Sequence, residues 1–305
     1  MNPPGDIMAY WYTCMTIMVF ALGACIGSFL NVCIYRIPRE ESIVHPRSHC
    51  PACNTLIPWY WNIPLLSWIL LRGKCRFCKA PITPRYLIVE TITAVLFVLI
   101  WLKLDWIGNP LLGLTPMHNA GLVPVYWLVM SGLILGTFVD FEHLIIPDRV
   151  TLGGIAAGLV LSPLVPALHG VTGPLESFLK ALLGAAAGWG LLWGISWFGR
   201  LLFRKEAMGF GDVKLIGAIG AFLGWRAVLF TVAVSSLIGS IVGLVLVFTG
   251  RKAMQSRIPY GPYLALAAIL WILWGTQWWD AYIRFMMPEP ELPAGPVQWT
   301  IPYNP

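Results

Sequence analysis

The chain has 305 residues, of which 58% are hydrophobic and 11% charged, and a formal net charge of +6. Water-soluble domains carry about 25% charged residues, so this balance excludes an ordinary globular protein. A positive excess suits either a nucleic acid or a membrane surface, and the placement of the charges decides between them.

In chain order, Ile7 to Tyr35 holds no charged side chain, so residues 1–35 read as a first membrane helix. A cleavable leader is not expected there: no basic residue precedes the run, and it far exceeds the roughly 7–15-residue core of such peptides. Residues 36–85 form the only substantial polar insert. Apolar runs then follow at Tyr86 to Leu102 (with Glu90 inside), Leu122 to Val139, Val150 to Leu168 and Leu182 to Gly199. Val213 to Gly224 is shorter and holds Lys214, and Ala227 to Phe248 and Ile258 to Trp279 complete the set. A hydrocarbon core about 30 Å thick takes roughly 20 apolar residues as a helix. The expected fold is therefore an all-α polytopic membrane protein with about eight transmembrane helices, its membrane domain over residues 86–285 and a tail over 286–305.

With the N-terminus outside and eight crossings, sixteen of the twenty Lys and Arg residues fall on the inner side. Only Lys103, Lys180, Arg226 and Arg284 fall outside. This bias places the insert and its flanking loops in the cytoplasm. The net charge is then a topology signal, and the expected partner is the lipid bilayer with no nucleic acid.

The insert carries Cys50-Pro-Ala-Cys53 and Cys75-Arg-Phe-Cys78, separated by 21 residues. Paired C-x-x-C turns wrap one tetrahedral zinc, since each turn aims two sulfurs at one centre. The alternative is two disulfides, which a reducing cytoplasm disfavours. A structural zinc held by Cys50, Cys53, Cys75 and Cys78 is expected; replacement of one cysteine by the nearby His45 or His49 is the minor alternative. Such an ion supplies binding energy that a small insert lacks. Cys14, Cys25 and Cys33 lie in the first apolar run and are expected to be buried free thiols.

Acidic side chains at the edge of hydrocarbon are costly, so each needs an account. Asp140 ends one apolar run, within Asp140-Phe-Glu-His-Leu-Ile-Ile-Pro-Asp148. Asp212 closes Gly209-Phe210-Gly211-Asp212 and opens another run. Both fall on the inner side in the derived topology. Two carboxyls at one depth can share a proton, which gives one base to activate water and one acid to protonate a leaving amide nitrogen. The glycines flanking Phe210 would let an extended peptide approach. Asp148 follows Pro147 and precedes Arg149, so a helix-start role, with an ion pair, is the simpler reading. From the residues alone, ion or proton transport competes with hydrolysis for Asp140 and Asp212.

At these residues the chain resembles the type IV prepilin peptidases, the bifunctional leader peptidases and N-methyltransferases of bacterial pilus and type II secretion systems. The resemblance runs from Gly27-Ser-Phe-Leu-Asn-Val32 through the cysteine quartet and Trp61-Asn-Ile-Pro-Leu65. It continues through Asp140 to Asp148 and Gly209 to Asp212, and ends at Ile258-Pro-Tyr-Gly-Pro-Tyr263. Glu142 stands where relatives often carry Asp.

The resemblance implies a membrane aspartyl protease with Asp140 and Asp212 as its catalytic dyad and Asp148 in support. It also implies prepilin and pseudopilin substrates cut after a glycine at the cytoplasmic face of the bacterial inner membrane. S-adenosylmethionine would then methylate the new amino terminus, an activity associated with the zinc-bearing insert. No G-x-G-x-x-G marks a cofactor site.

Two other readings are kept. A presenilin-like intramembrane protease shares G-x-G-D but pairs it with Tyr-Asp, whereas Val139 precedes Asp140 here. An ion-coupled transporter predicts internal repeats and carboxylates near the bilayer midplane.

Overall fold

A computed structural model describes residues 5–104, 121–203, 209–249 and 259–287 of the chain. The tail expected from residue 286 lies outside the described residues beyond Met287. So do Arg204, Lys205, Arg251, Lys252 and Arg257 of the basic set, and Ile258 of the last motif.

The described chain is helical, with α1 over Gly5–Arg36, a short α2 over Leu66–Leu70, α3 over Arg85–Leu104 and α4 over Leu122–His143. Then come α5 (Asp148–Leu164), α6 (Pro174–Phe203), α7 (Phe210–Phe248), α8 (Gly261–Leu270) and α9 (Thr276–Met286). A hydrocarbon environment favours this class, because a helix satisfies its backbone polar groups internally.

The expectation of eight transmembrane helices is corrected to about five candidate spans among the described residues, by length and composition. Among the described residues, α1, α3, α4, α6 and α7 are the helices long and apolar enough to cross a membrane. Three local features account for the difference. The run at 150–168 yields a 17-residue helix with Pro163 in its last turn, and a 3-10 turn over Pro166–His169 takes up the rest. Proline removes an amide donor and crowds the preceding turn, so the helix stops there. The two runs at 213–224 and 227–248 form one 39-residue element, bent at Gly224 (φ 79°, ψ 173°). The last run is divided among α8, a π-helical turn at Trp271–Gly275 and α9. Hydropathy registers the apolar length of these segments but not their breaks.

Small residues set the closest packing, as in other membrane bundles where backbones must approach. A Cβ on Gly184 of α6 would lie 2.1 Å from the Gly220 carbonyl oxygen of α7, and one on Gly188 would lie 2.5 Å from that of Ile216. On the other side of the molecule, a Cβ on Gly23 or Gly27 of α1 would come within 2.7 Å of the α3 backbone at Ala94 or Glu90. The same α3 anchors the polar insert: Glu90, 6% exposed, accepts the Leu65 amide at 2.7 Å. Arg36, at the end of α1, donates to the carbonyls of Ser42 and Pro46.

Cys33 is buried as expected, but Cys14 is only partly buried and Cys25 is exposed.

Gly184→Ala should lower stability in detergent by about 1–3 kcal/mol, the usual cost of overpacking. Gly190→Ala on the same helix meets nothing within 4 Å and should leave the thermal midpoint unchanged.

Candidate active site and cysteine cluster

Asp140 sits in the last turn of α4. Leu144 takes a left-handed conformation (φ 55°) and returns its amide to the Asp140 carbonyl at 3.0 Å, ending the helix. Pro147, extended at φ −61° and ψ 139°, then opens α5. Between these two stops Ile146 turns inward and is buried.

The Asp140 carboxyl is 5% exposed, and its Oδ2 accepts the backbone N–H of Gly261 at 3.0 Å. Gly261 is the first residue of α8, where amides lack partners within the helix and the dipole favours negative charge. Asp212 is 8% exposed in the first turn of α7, its amide bonded to the Gly209 carbonyl at 3.2 Å. The two carboxyls are close enough to interact electrostatically. The structure therefore brings together two buried acids from different helices at one end of the bundle.

Glycines make room for this meeting. A Cβ on Gly261 would lie 2.8 Å from Asp140 Oδ2 and 3.0 Å from Ile146 Cδ1. A Cβ on Gly211 would meet Ile146 Cβ at 3.4 Å, an ordinary van der Waals contact, so Gly211 borders the Ile146 side chain. Gly209 faces Asp212 Oδ2, 3.5 Å from where a Cβ would stand.

Asp148 does open α5, but its ion pair is with Lys214 at 2.6 Å and not with Arg149. Lys214 stands two residues past Asp212, so the pair ties the start of α5 to the start of α7. Asp148 is 62% exposed, and pairs in such settings contribute about 0–1 kcal/mol. Glu142 pairs with Arg85 at the start of α3, which joins the acidic end of α4 to the insert.

In the insert the two C-x-x-C segments form matching turns. The Cys50 amide bonds the Thr55 carbonyl and the Asn54 amide bonds the Cys50 carbonyl; Cys75, Ala80 and Lys79 repeat the pattern. Asn54 and Lys79, each following a second cysteine, are left-handed at φ 54° and 61°. The four sulfurs lie within 4.8 Å of one another, and Cys50 Sγ stands 3.8 Å from Cys78 Sγ. A tetrahedral site with Zn–S near 2.3 Å requires sulfurs about 3.8 Å apart, so the quartet fits the ion. His45 and His49 are not part of the group.

Charge within the cluster is unevenly held. The Thr55 hydroxyl and amide hold the Cys53 thiol down to about 6. The Ala80 amide lowers Cys78, yet loss of hydration and the neighbouring sulfurs outweigh it and push that thiol up to about 11. Four sulfurs this close resist full ionisation unless a cation joins them.

Two family models match the chain: the bacterial peptidase A24 N-terminal domain over residues 21–104 and the type IV leader peptidase family over 127–244. A prepilin leader peptidase/N-methyltransferase of Aeromonas hydrophila is 38% identical over 291 residues, covering 86% of this chain and 92% of the relative. The chain belongs to the type IV prepilin peptidase/N-methyltransferase family. Proteins of the same name from Myxococcus xanthus and Pseudomonas aeruginosa are 40% and 32% identical. The first alignment covers 83% of this chain and 69% of the relative, the second 92% and 97%. No solved structure matches. Within this prepilin peptidase family member, the first matched region contains the latter half of α1, the insert and α3, and the second contains both aspartates. Gly261 lies beyond both.

Tyr260-Gly261-Pro262 lies in the last motif of the resemblance, which implies no role for it; the Gly-Pro start of a helix is the signal in the sequence that points to Gly261. Gly261→Ala should reduce leader-peptide cleavage by roughly tenfold to a hundredfold through displacement of Asp140, with the protein still inserted. Cleavage at the wild-type rate would show that Asp140 does not depend on this contact.

Proposed function

We propose that the chain removes the leader of prepilins and pseudopilins after a glycine at the cytoplasmic face of the inner membrane, with Asp140 and Asp212 as the catalytic dyad. The observation that carries this reading is the burial of both carboxyls, near enough to interact electrostatically, at the insert end of the bundle, one fixed by the Gly261 amide. Like charges so near cannot both ionise easily, so the pair holds one proton between them. The ionised member takes a proton from water as its oxygen attacks the scissile carbonyl. The protonated member donates to the departing amide nitrogen, and the products are a free leader carboxylate and a new amino terminus. Carboxylates at helix ends, and not at the midplane, weigh against a transporter.

In this reading the cysteine quartet holds one structural zinc. With four thiolates the coordination shell is closed, so the ion organises the insert and leaves no open position for catalysis. S-adenosylmethionine supplies the methyl group for the new amino terminus, in keeping with the N-methyltransferase named in the relatives. The domain assignment follows the same division, with residues 36–85 serving methylation and 86–285 serving cleavage.

Asp140→Asn and Asp212→Asn should each lower cleavage of a purified prepilin by about 10²–10⁴-fold or more, while the chain still inserts and accumulates. Asp148→Asn should keep substantial activity. Normal cleavage by either dyad variant, scored by mass, would remove that residue from the chemistry.

Elemental analysis should find about one zinc per chain, lost in a Cys50→Ser, Cys75→Ser double variant. A fully active, metal-free preparation would exclude the ion from the fold of the insert.

A further inference from the structure

A cavity of about 1000 Å³ lies between the insert and the ends of α1 and α3. Its volume is at the upper end for small-molecule pockets, which are mostly apolar with a few fixed polar groups. Nothing in the cleavage reaction uses it.

The wall residues carry the chemistry of a particular ligand. Glu90 contributes a buried carboxylate, steadied by the Leu65 amide and the Ser28 hydroxyl. Asn31, one turn along α1 from Ser28, spends its amide nitrogen on the carbonyls of Tyr86 and Gly27, leaving Oδ1 buried without a donor. Arg85 pairs through one nitrogen with Glu142 while its Nε stays buried without an acceptor, and Trp68 Nε1 is likewise unpaired. Buried polar atoms are nearly always satisfied, so three in the wall of one cavity call for a partner. The set comprises a carboxylate and a carbonyl oxygen for a cationic group, and N–H donors for an anionic or carbonyl group. Trp61 and Tyr35 add aromatic faces to the same wall.

We propose that this cavity is the methyl-donor site: it takes an adenosyl sulfonium amino acid, with the cationic end toward Glu90 and Asn31 and the carboxylate toward Arg85. The inference rests on the methyltransferase reading above and gives that activity a place. The neutral amine of the new terminus forms the N–C bond, and the S–C bond breaks with its electrons left on sulfur. The products are a methylammonium and a neutral thioether, so charge is conserved.

Position supports the assignment. Arg85 and Glu142 both line the cavity, and Glu142 follows Asp140 by two residues on α4. Neither Asp140 nor Asp212 lines the cavity, so in this assignment the new amino terminus passes the ion pair on its way from the dyad to the donor.

The test uses the full chain purified in detergent, a prepilin peptide and S-adenosylmethionine labelled in its methyl group. Glu90→Gln keeps the size of the side chain and its bond to Leu65. It should lower methyl groups transferred per cleaved peptide at least tenfold and weaken S-adenosylhomocysteine binding at least tenfold by calorimetry. Scoring per cleaved peptide corrects for any loss of folded protein. Ultraviolet cross-linking of labelled donor to the wild-type chain should place the label within residues 28–39, 57–68 or 83–90. An unchanged ratio in Glu90→Gln, or label mapping elsewhere while the wild type methylates, overturns the cavity assignment alone. A wild-type chain that cleaves but neither binds donor nor methylates overturns the methyltransferase reading and this site with it.

Discussion

A carboxyl group withdrawn from water must find a hydrogen-bond donor or carry a large free-energy cost. A helix beginning inside a protein has the opposite need, since its first amides have no partner within the helix. In this chain the two needs meet at Asp140 and Gly261. That single contact fixes the end of α4 against the start of α8, and it requires a residue without a side chain because any Cβ would strike the carboxyl. Ile146 fills the space beside it and reaches the start of α7 through Gly211, which brings Asp212 to the same place.

The remaining structure holds these ends in register. Glycine contacts draw α6 onto α7 and α1 onto α3, so the backbone positions follow from packing and not from long polar side chains. Two ion pairs join pieces near the end that carries Asp140: Arg85 to Glu142 and Lys214 to Asp148. The insert is organised differently, around four sulfurs and two matching turns, because it has too few buried apolar residues to form a core.

Much of this was legible in the sequence. The all-α membrane class followed from charge-free runs, and the matched cysteine pairs announced their convergence through equal spacing. The ends that carry Asp140 and Asp212 were legible because acids are rare beside hydrocarbon. The number of crossings was not, since hydropathy averages over Pro163, Gly224 and the π turn at Trp271. The partner of Asp140 was hidden for another reason: it is a backbone amide 121 residues away, and amides leave no mark in a composition. Lys214 was visible only as a charge within an apolar run, and its pairing with Asp148 needed the fold to bring two helix starts together.

Leu65 stands at φ 62° and ψ −54°, a region that costs an ordinary L-residue on the order of 1–3 kcal/mol. Its amide is held by Glu90, a side chain belonging to a helix of the bundle. The shape of the soluble segment is therefore partly on loan from the membrane portion. Excised at residues 36 and 85, the polar stretch would keep its sulfur-binding turns but lose the grip that sustains this bend. Its boundaries in sequence are thus not seams in the folded object, and an isolated fragment is a different molecule from the one the bundle shapes.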